Sequence, residues 1–201
     1  MLARIWSASL VGIDAVQVGV EVDVSGGLPG IVIVGLPDTA VQESRERVRA
    51  ALKNAGYAFP MRKIVVNLTP ADLRKEGPSF DLPISIGILA ASEQINTQQI
   101  QDYLFLGEMS LDGTLRPVAG VLAIAAAAQR LGIKSLVVPA DNAREASVVK
   151  GLSVYGFKHL SEVGQFLENP AQSVAIATDG QQELERTQFQ GPDLKEVKGQ
   201  A

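Results

Sequence analysis

Cysteine is absent from all 201 residues, which excludes disulfides, thiolate metal sites and a thiol nucleophile. His159 is the one histidine, so no site needing two imidazoles can form. Gly-rich phosphate loops are missing too: neither the Walker pattern GxxxxGK followed by Ser or Thr, nor GxGxxG, occurs in the chain. Aromatic residues make up 5% and do not interleave with basic ones, which argues against a base-stacking platform for single strands. The longest apolar run, Val118–Ala128, is eleven residues, short of the roughly 18 that suggest a membrane span. Residues 1–20 carry Arg4 and Asp14 and are broken by Ser7, Ser9, Gly12 and Gln17, unlike a signal peptide. The expected location is cytoplasmic, with no membrane contact. A net charge of −4 argues against coating nucleic acid by electrostatics alone.

What is present is a globular mixture, 46% hydrophobic and 20% charged, long enough for one domain plus a tail. Val16, Val18, Val20, Val22 and Val24 alternate with polar residues over Asp14–Ser25, a strand with one buried face. Arg4–Leu10 can pair with it through a turn near Gly12, and Ile31–Val34 begins another strand. Helical spacing follows, with Thr39 and Gln42 fitting a capping box and Gly56 ending the helix. Strands are expected at Lys63–Leu68, Tyr103–Gly107, Ser135–Val138 and Ser153–Tyr155. Helices are expected at Asp81–Gln94, Gly120–Leu131, Asn142–Lys150 and Leu160–Leu167, with a hairpin turn at Leu111–Thr114. The fold class is α+β, or mixed α/β, over residues 1–169. Residues 170–201 hold six glutamines, few aliphatics and a net charge of −2; they read as a flexible linker.

Two places carry candidate chemistry. Gly77-Pro78-Ser79 forms a turn at an expected helix start, where amides point at anything anionic. Ser79 there is either a nucleophile beside an oxyanion hole or simply the helix N-cap. As a nucleophile it needs a base. His159 lies far along the chain, and Lys75, four residues away on the turn, is expected to be solvated and fully charged. The second place is a basic cluster over residues 43–75: Arg45, Arg47, Arg49, Lys53, Arg62, Lys63, Arg74 and Lys75, with net charge +5. It can touch DNA phosphates or an acidic partner, or be an ordinary solvated helix face. Nothing in the pattern suggests a metal site.

Three long strings carry a resemblance: IVIVGLPDTAVQESRERVRAAL (Ile31–Leu52), KIVVNLTPADLRKEGPSFDLPISIGILAAS (Lys63–Ser92) and GEMSLDGTLRPVAGVL (Gly107–Leu122). They resemble the N-terminal part of the ComM/YifB family of magnesium-chelatase-like AAA+ ATPases, across about residues 1–169. The segment PDLKEVKGQA resembles the approach to that family's AAA+ module, so the chain is similar to an excised N-terminal fragment. The resemblance implies a domain like the proteolytic domain of Lon, with β-sheet layers and packed helices. Lon-type domains use a serine–lysine dyad. Gly77-Pro78-Ser79 resembles the serine motif, but Leu122 and Ile124 stand at the two lysine positions, which makes Ser79 a vestigial nucleophile.

The family further implies a hexameric motor that drives branch migration of DNA in natural transformation. ATP and Mg would belong to the absent AAA+ module, leaving no cofactor in this chain. This domain would serve assembly of the homo-oligomeric ring and contact branched or single-stranded DNA or a partner. Two alternatives are an active serine peptidase, with Lys75 or Lys63 as base, and a RadA-type Lon-like accessory domain, similar at GEMSLDGTLRPV and less so over Ile31–Leu52.

Overall fold

A computed structural model describes residues 1–176. Strand β1 (Leu2–Val11) turns at Gly12 into β2 (Asp14–Ser25), antiparallel over its full length. After β3 (Gly30–Val34) comes helix α1 (Thr39–Asn54), then β4 (Lys63–Thr69) and α2 (Asp81–Ala91). The second half runs β5 (Tyr103–Phe105), a small hairpin β6–β7 (Glu108–Met109, Leu115–Arg116), α3 (Val121–Arg130) and β8 (Ser135–Pro139). It closes with α4 (Ala140–Ser147), β9 (Ser153–Phe157) and α5 (Leu160–Glu168). Seven strands form one sheet in the order β3-β4-β2-β1-β5-β8-β9. It is mostly parallel, with antiparallel pairing only where β2 meets β1 and β4. The fold is mixed α/β.

The alternation in β2 has its expected cause. Val18, Val20, Val22 and Val24 are buried, packing on α2, while Gln17, Glu21 and Asp23 face the other way; Val16, expected on the same buried face, is exposed. α2 is buried at all eleven positions, so it is apolar all round rather than on one stripe. Its Gly87 lets it approach the sheet, since a Cβ there would lie 2.5 Å from Val22 Cγ2. α3 and α4 pack on the opposite face of the sheet, over Leu104, Leu136, Val138 and Val154. Only small alanines of α3 (Ala125, Ala128) let it lie that close.

Several expectations are corrected. Asp38, not Thr39, caps α1: its Oδ1 accepts from Val41 N at 2.8 Å, and Gln42 instead donates to Ile33 O. α2 ends at Ala91, where the Ser92 hydroxyl donates back to Ile88 O and Glu93 takes φ 58°. Pro170–Gln172 form a 3-10 turn, and Ile176 N donates to Val154 O at 2.8 Å, still against β9. The rest of the expected linker, 177–201, lies outside the described residues. Among the described residues no helix is long and apolar enough to cross a membrane.

Candidate functional site

A cleft of about 530 Å³ opens at the end of β1. Its walls are Ala8–Leu10 of β1, the Gly77-Pro78-Ser79 turn and the Pro117–Ala119 segment, with Ile124 of α3 beneath. The turn is held from two sides. Asp38, already capping α1 with one oxygen, accepts from Gly77 N at 3.1 Å with the other, where Gly77 sits at φ 80°, open to glycine. Gly107 N donates to Ser79 O at 3.0 Å, and Leu82 N donates to Gly107 O at 3.0 Å. The chain from 77 to 82 is therefore pinned to the start of α1 and to the loop after β5.

Ser79 is half-buried in the second position of a 3-10 turn, Pro78–Phe80, and α2 starts after it without a side-chain cap. The N-cap alternative for Ser79 is thus overturned, because the turn carries the serine away from the first free amides of the helix. Among the described residues its hydroxyl makes no hydrogen bond. The two positions that resemble Lon lysines hold Leu122, exposed at 45%, and Ile124, buried at 3% beneath the cleft.

Lys75 is a correction. It is completely buried, because its backbone is bridged to the segment before α1: Lys75 N donates to Leu36 O, and Asp38 N to Lys75 O. Burial pushes its amine below the ordinary value of 10.5, opposed by the nearby charge of Asp72. The Nζ donates to Pro70 O, and Lys75 does not line the cleft of Ser79. A depressed lysine exists here, but aimed elsewhere.

Arg47 is also withdrawn from the basic surface. Its Nε donates to Asp81 Oδ2 at 2.7 Å, and it bonds Ala40 O and Ser44 as well. The hydrogen bond to Asp81, partly offset by burial, holds its guanidinium above the ordinary arginine range. Asp81, fully buried, further accepts from the Ser44 hydroxyl and from Met109 N. Arg45, Arg49, Lys53, Arg62, Lys63 and Arg74 remain exposed. Arg45, Arg49 and Lys53 are spaced i, i+4, i+8 on α1 and so share one stripe, with Arg49 over the Phe59 ring at 5.4 Å. Arg74 is apart from them, near Glu76 at 3.4 Å.

Sequence reasoning missed Asp38 and Glu108, which line the cleft with Glu76. Asp38 precedes a helix and was readable as a cap; Glu108 gave no signal in the sequence. His159 proves structural. It caps α5 through Nδ1 and reaches Asp112 O through Nε2 at 2.9 Å.

The family described as subunit ChlI of Mg-chelatase matches residues 20–142. Competence protein ComM of Haemophilus influenzae is 44% identical over 178 residues, covering 89% of this chain and 35% of its own length. Uncharacterized protein YifB of Escherichia coli (strain K12) is 44% identical over 167 residues, covering 83% of this chain and 33% of its own. The chain belongs to this ChlI-type, ComM/YifB family. It spans about a third of the length of these relatives. The chain is also similar to Lon: Lon protease of Leptospira interrogans is 26% identical over 149 residues, 70% of this chain and 18% of the protease. No Gly-rich phosphate loop is present, and among the described residues no three His, Asp or Glu side chains are grouped to hold a metal ion.

Proposed function

We propose that this chain is the non-catalytic, Lon-like N-terminal domain of a ComM-type AAA+ DNA motor, serving ring assembly and contact with DNA or a partner. One observation carries the non-catalytic reading: the Ser79 hydroxyl is hydrogen-bonded to no base among the described residues, and its cleft is lined by no Lys, Arg or His, with carboxylates as its only ionisable side chains. A serine hydroxyl is a weak nucleophile without a positioned base, and loss of a general base forfeits about 10²–10⁴ in rate. The peptidase alternative would draw its base from Lys75 or Lys63. Lys75 has the lowered basicity such a base needs but spends its amine on Pro70 O. Lys63 is exposed at the start of β4.

DNA contact is supported by the exposed stripe of Arg45, Arg49 and Lys53 on α1. Cytoplasmic location, hexamer formation and ATP hydrolysis by the portion of the protein outside this chain follow from the same reading. The alternative of a RadA-type accessory domain predicts no such downstream motor.

The test is twofold. A fluorophosphonate should leave Ser79 unlabelled and casein uncut; labelling, with cleavage abolished in Ser79→Ala, would overturn the non-catalytic reading. Light scattering and filter binding with branched DNA should show a complex weakened by high salt and by Arg45→Glu combined with Arg49→Glu. Equal binding by that variant would remove α1 from the DNA contact.

A further inference from the structure

β1 runs ten residues beside a β5 of three, and the two are joined in register only at Trp6 and Leu104. Past that point Ala8, Ser9 and Leu10 pair with β2 on one side. On the other side no strand of the sheet accompanies them among the described residues, and the cleft lies there instead. A strand edge lining a cleft is a template for an added strand, with main-chain hydrogen bonds supplying affinity and side-chain pockets supplying selectivity. The opposite wall is rigid, because Asp38 and Gly107 fix both ends of the Gly77-Pro78-Ser79 turn. A volume of about 530 Å³ falls within the range of ordinary ligand sites.

The charge of the lining chooses the occupant. Its ionisable side chains are Asp38, Glu76 and Glu108, all acidic. Asp38 is committed to two backbone amides. Glu76 shares an exposed, weak contact with Arg74, and such pairs hold little free energy. Glu108 feels the charge of Arg47, but that guanidinium is bound to Asp81. Glu76 and Glu108 therefore keep capacity for a cation, while apolar Leu10, Val118 and Ile124 suit an aliphatic neighbour. A phosphate backbone would be repelled.

We propose that this cleft binds an extended, basic polypeptide segment. Its backbone adds to the free edge of β1, and a lysine or arginine side chain meets Glu76 and Glu108. The inference deepens the reading of a Lon-like domain without peptidase activity: the segment is held, not cut.

The test titrates the 201-residue chain into a fluorescein-labelled hexapeptide, Ala-Leu-Lys-Leu-Arg-Leu, and into its analogue with glutamates for both basic residues. Anisotropy should show saturable binding of the basic peptide, at least about tenfold tighter than the acidic one. Glu108→Gln should weaken it about threefold to tenfold, and adding Glu76→Gln should weaken it further; Lys134→Gln, an exposed residue before β8 and outside the cleft lining, should not. Amide exchange should slow at Ala8–Leu10 when the peptide is bound. Equal binding of the two peptides, no saturation up to millimolar protein, or an unchanged affinity in the double variant would overturn the proposal. Serine-dependent cleavage of the bound peptide would instead overturn the non-catalytic reading and leave the cleft's occupant as assigned.

Discussion

Arg47 and Asp81 meet across 34 residues of chain, Nε to Oδ2 at 2.7 Å and Nη2 to Oδ1 at 3.1 Å. This forked pair fastens the middle of α1 to the first residue of α2. The same carboxylate accepts from Met109 N at 3.1 Å, so one buried group joins α1, α2 and the β6–β7 hairpin that borders the cleft.

Arg47→Met should destabilise the fold by about 3 kcal/mol, the low end for breaking a buried pair, because Ser44 and Met109 still serve the stranded carboxylate. Urea unfolding of Arg47→Met, Asp81→Leu and the double variant should show the double losing less than the two singles added. Strict additivity would remove the pair from the energetics.

Asp38→Ala should cost about 1–2 kcal/mol, the range of a lost N-cap, with an effect that reaches beyond α1. Its second oxygen holds Gly77, so amide exchange should accelerate at Gly77 as well as at Val41. Acceleration at Val41 alone would mean the turn stands without it.

Lys75 should give a pH signature. Its folded-state amine is lowered below 10.5 by burial, so between that lowered value and 10.5 the unfolded chain binds more protons. Stability then rises with pH across the window, and below it the cost of the buried charge is fully present. Lys75→Met should flatten this slope and stabilise the protein by about 1 kcal/mol at neutral pH. An unchanged slope in urea unfolding between neutral pH and pH 10 would refute it.

Ser79→Ala should change stability by no more than about 0.5 kcal/mol, since the hydroxyl caps no helix. A loss above about 1 kcal/mol in thermal melts would point to a partner for Ser79 that the geometry does not contain.

Val18 to Val24 of β2, the existence of α1 and the glycine turns were legible in the sequence because each is a local period or a local breaker. The missing phosphate loop and the Gly77-Pro78-Ser79 turn were legible for the same reason, whereas the reading of Leu122 and Ile124 as lysine positions rested on the family resemblance alone. Tertiary structure alone decided which charges remain available. Lys75 and Arg47 look like their basic neighbours in sequence, yet one is buried by a bridge to Leu36 and Asp38 and the other is taken by Asp81. It also decided that Asp38 rather than Thr39 caps α1, because the same carboxylate must reach Gly77, 39 residues away. Solvation depends on what distant segments pack against a side chain, and local spacing holds no record of that; hence the chain spelled out its elements, and their packing settled its cleft and its charged surface.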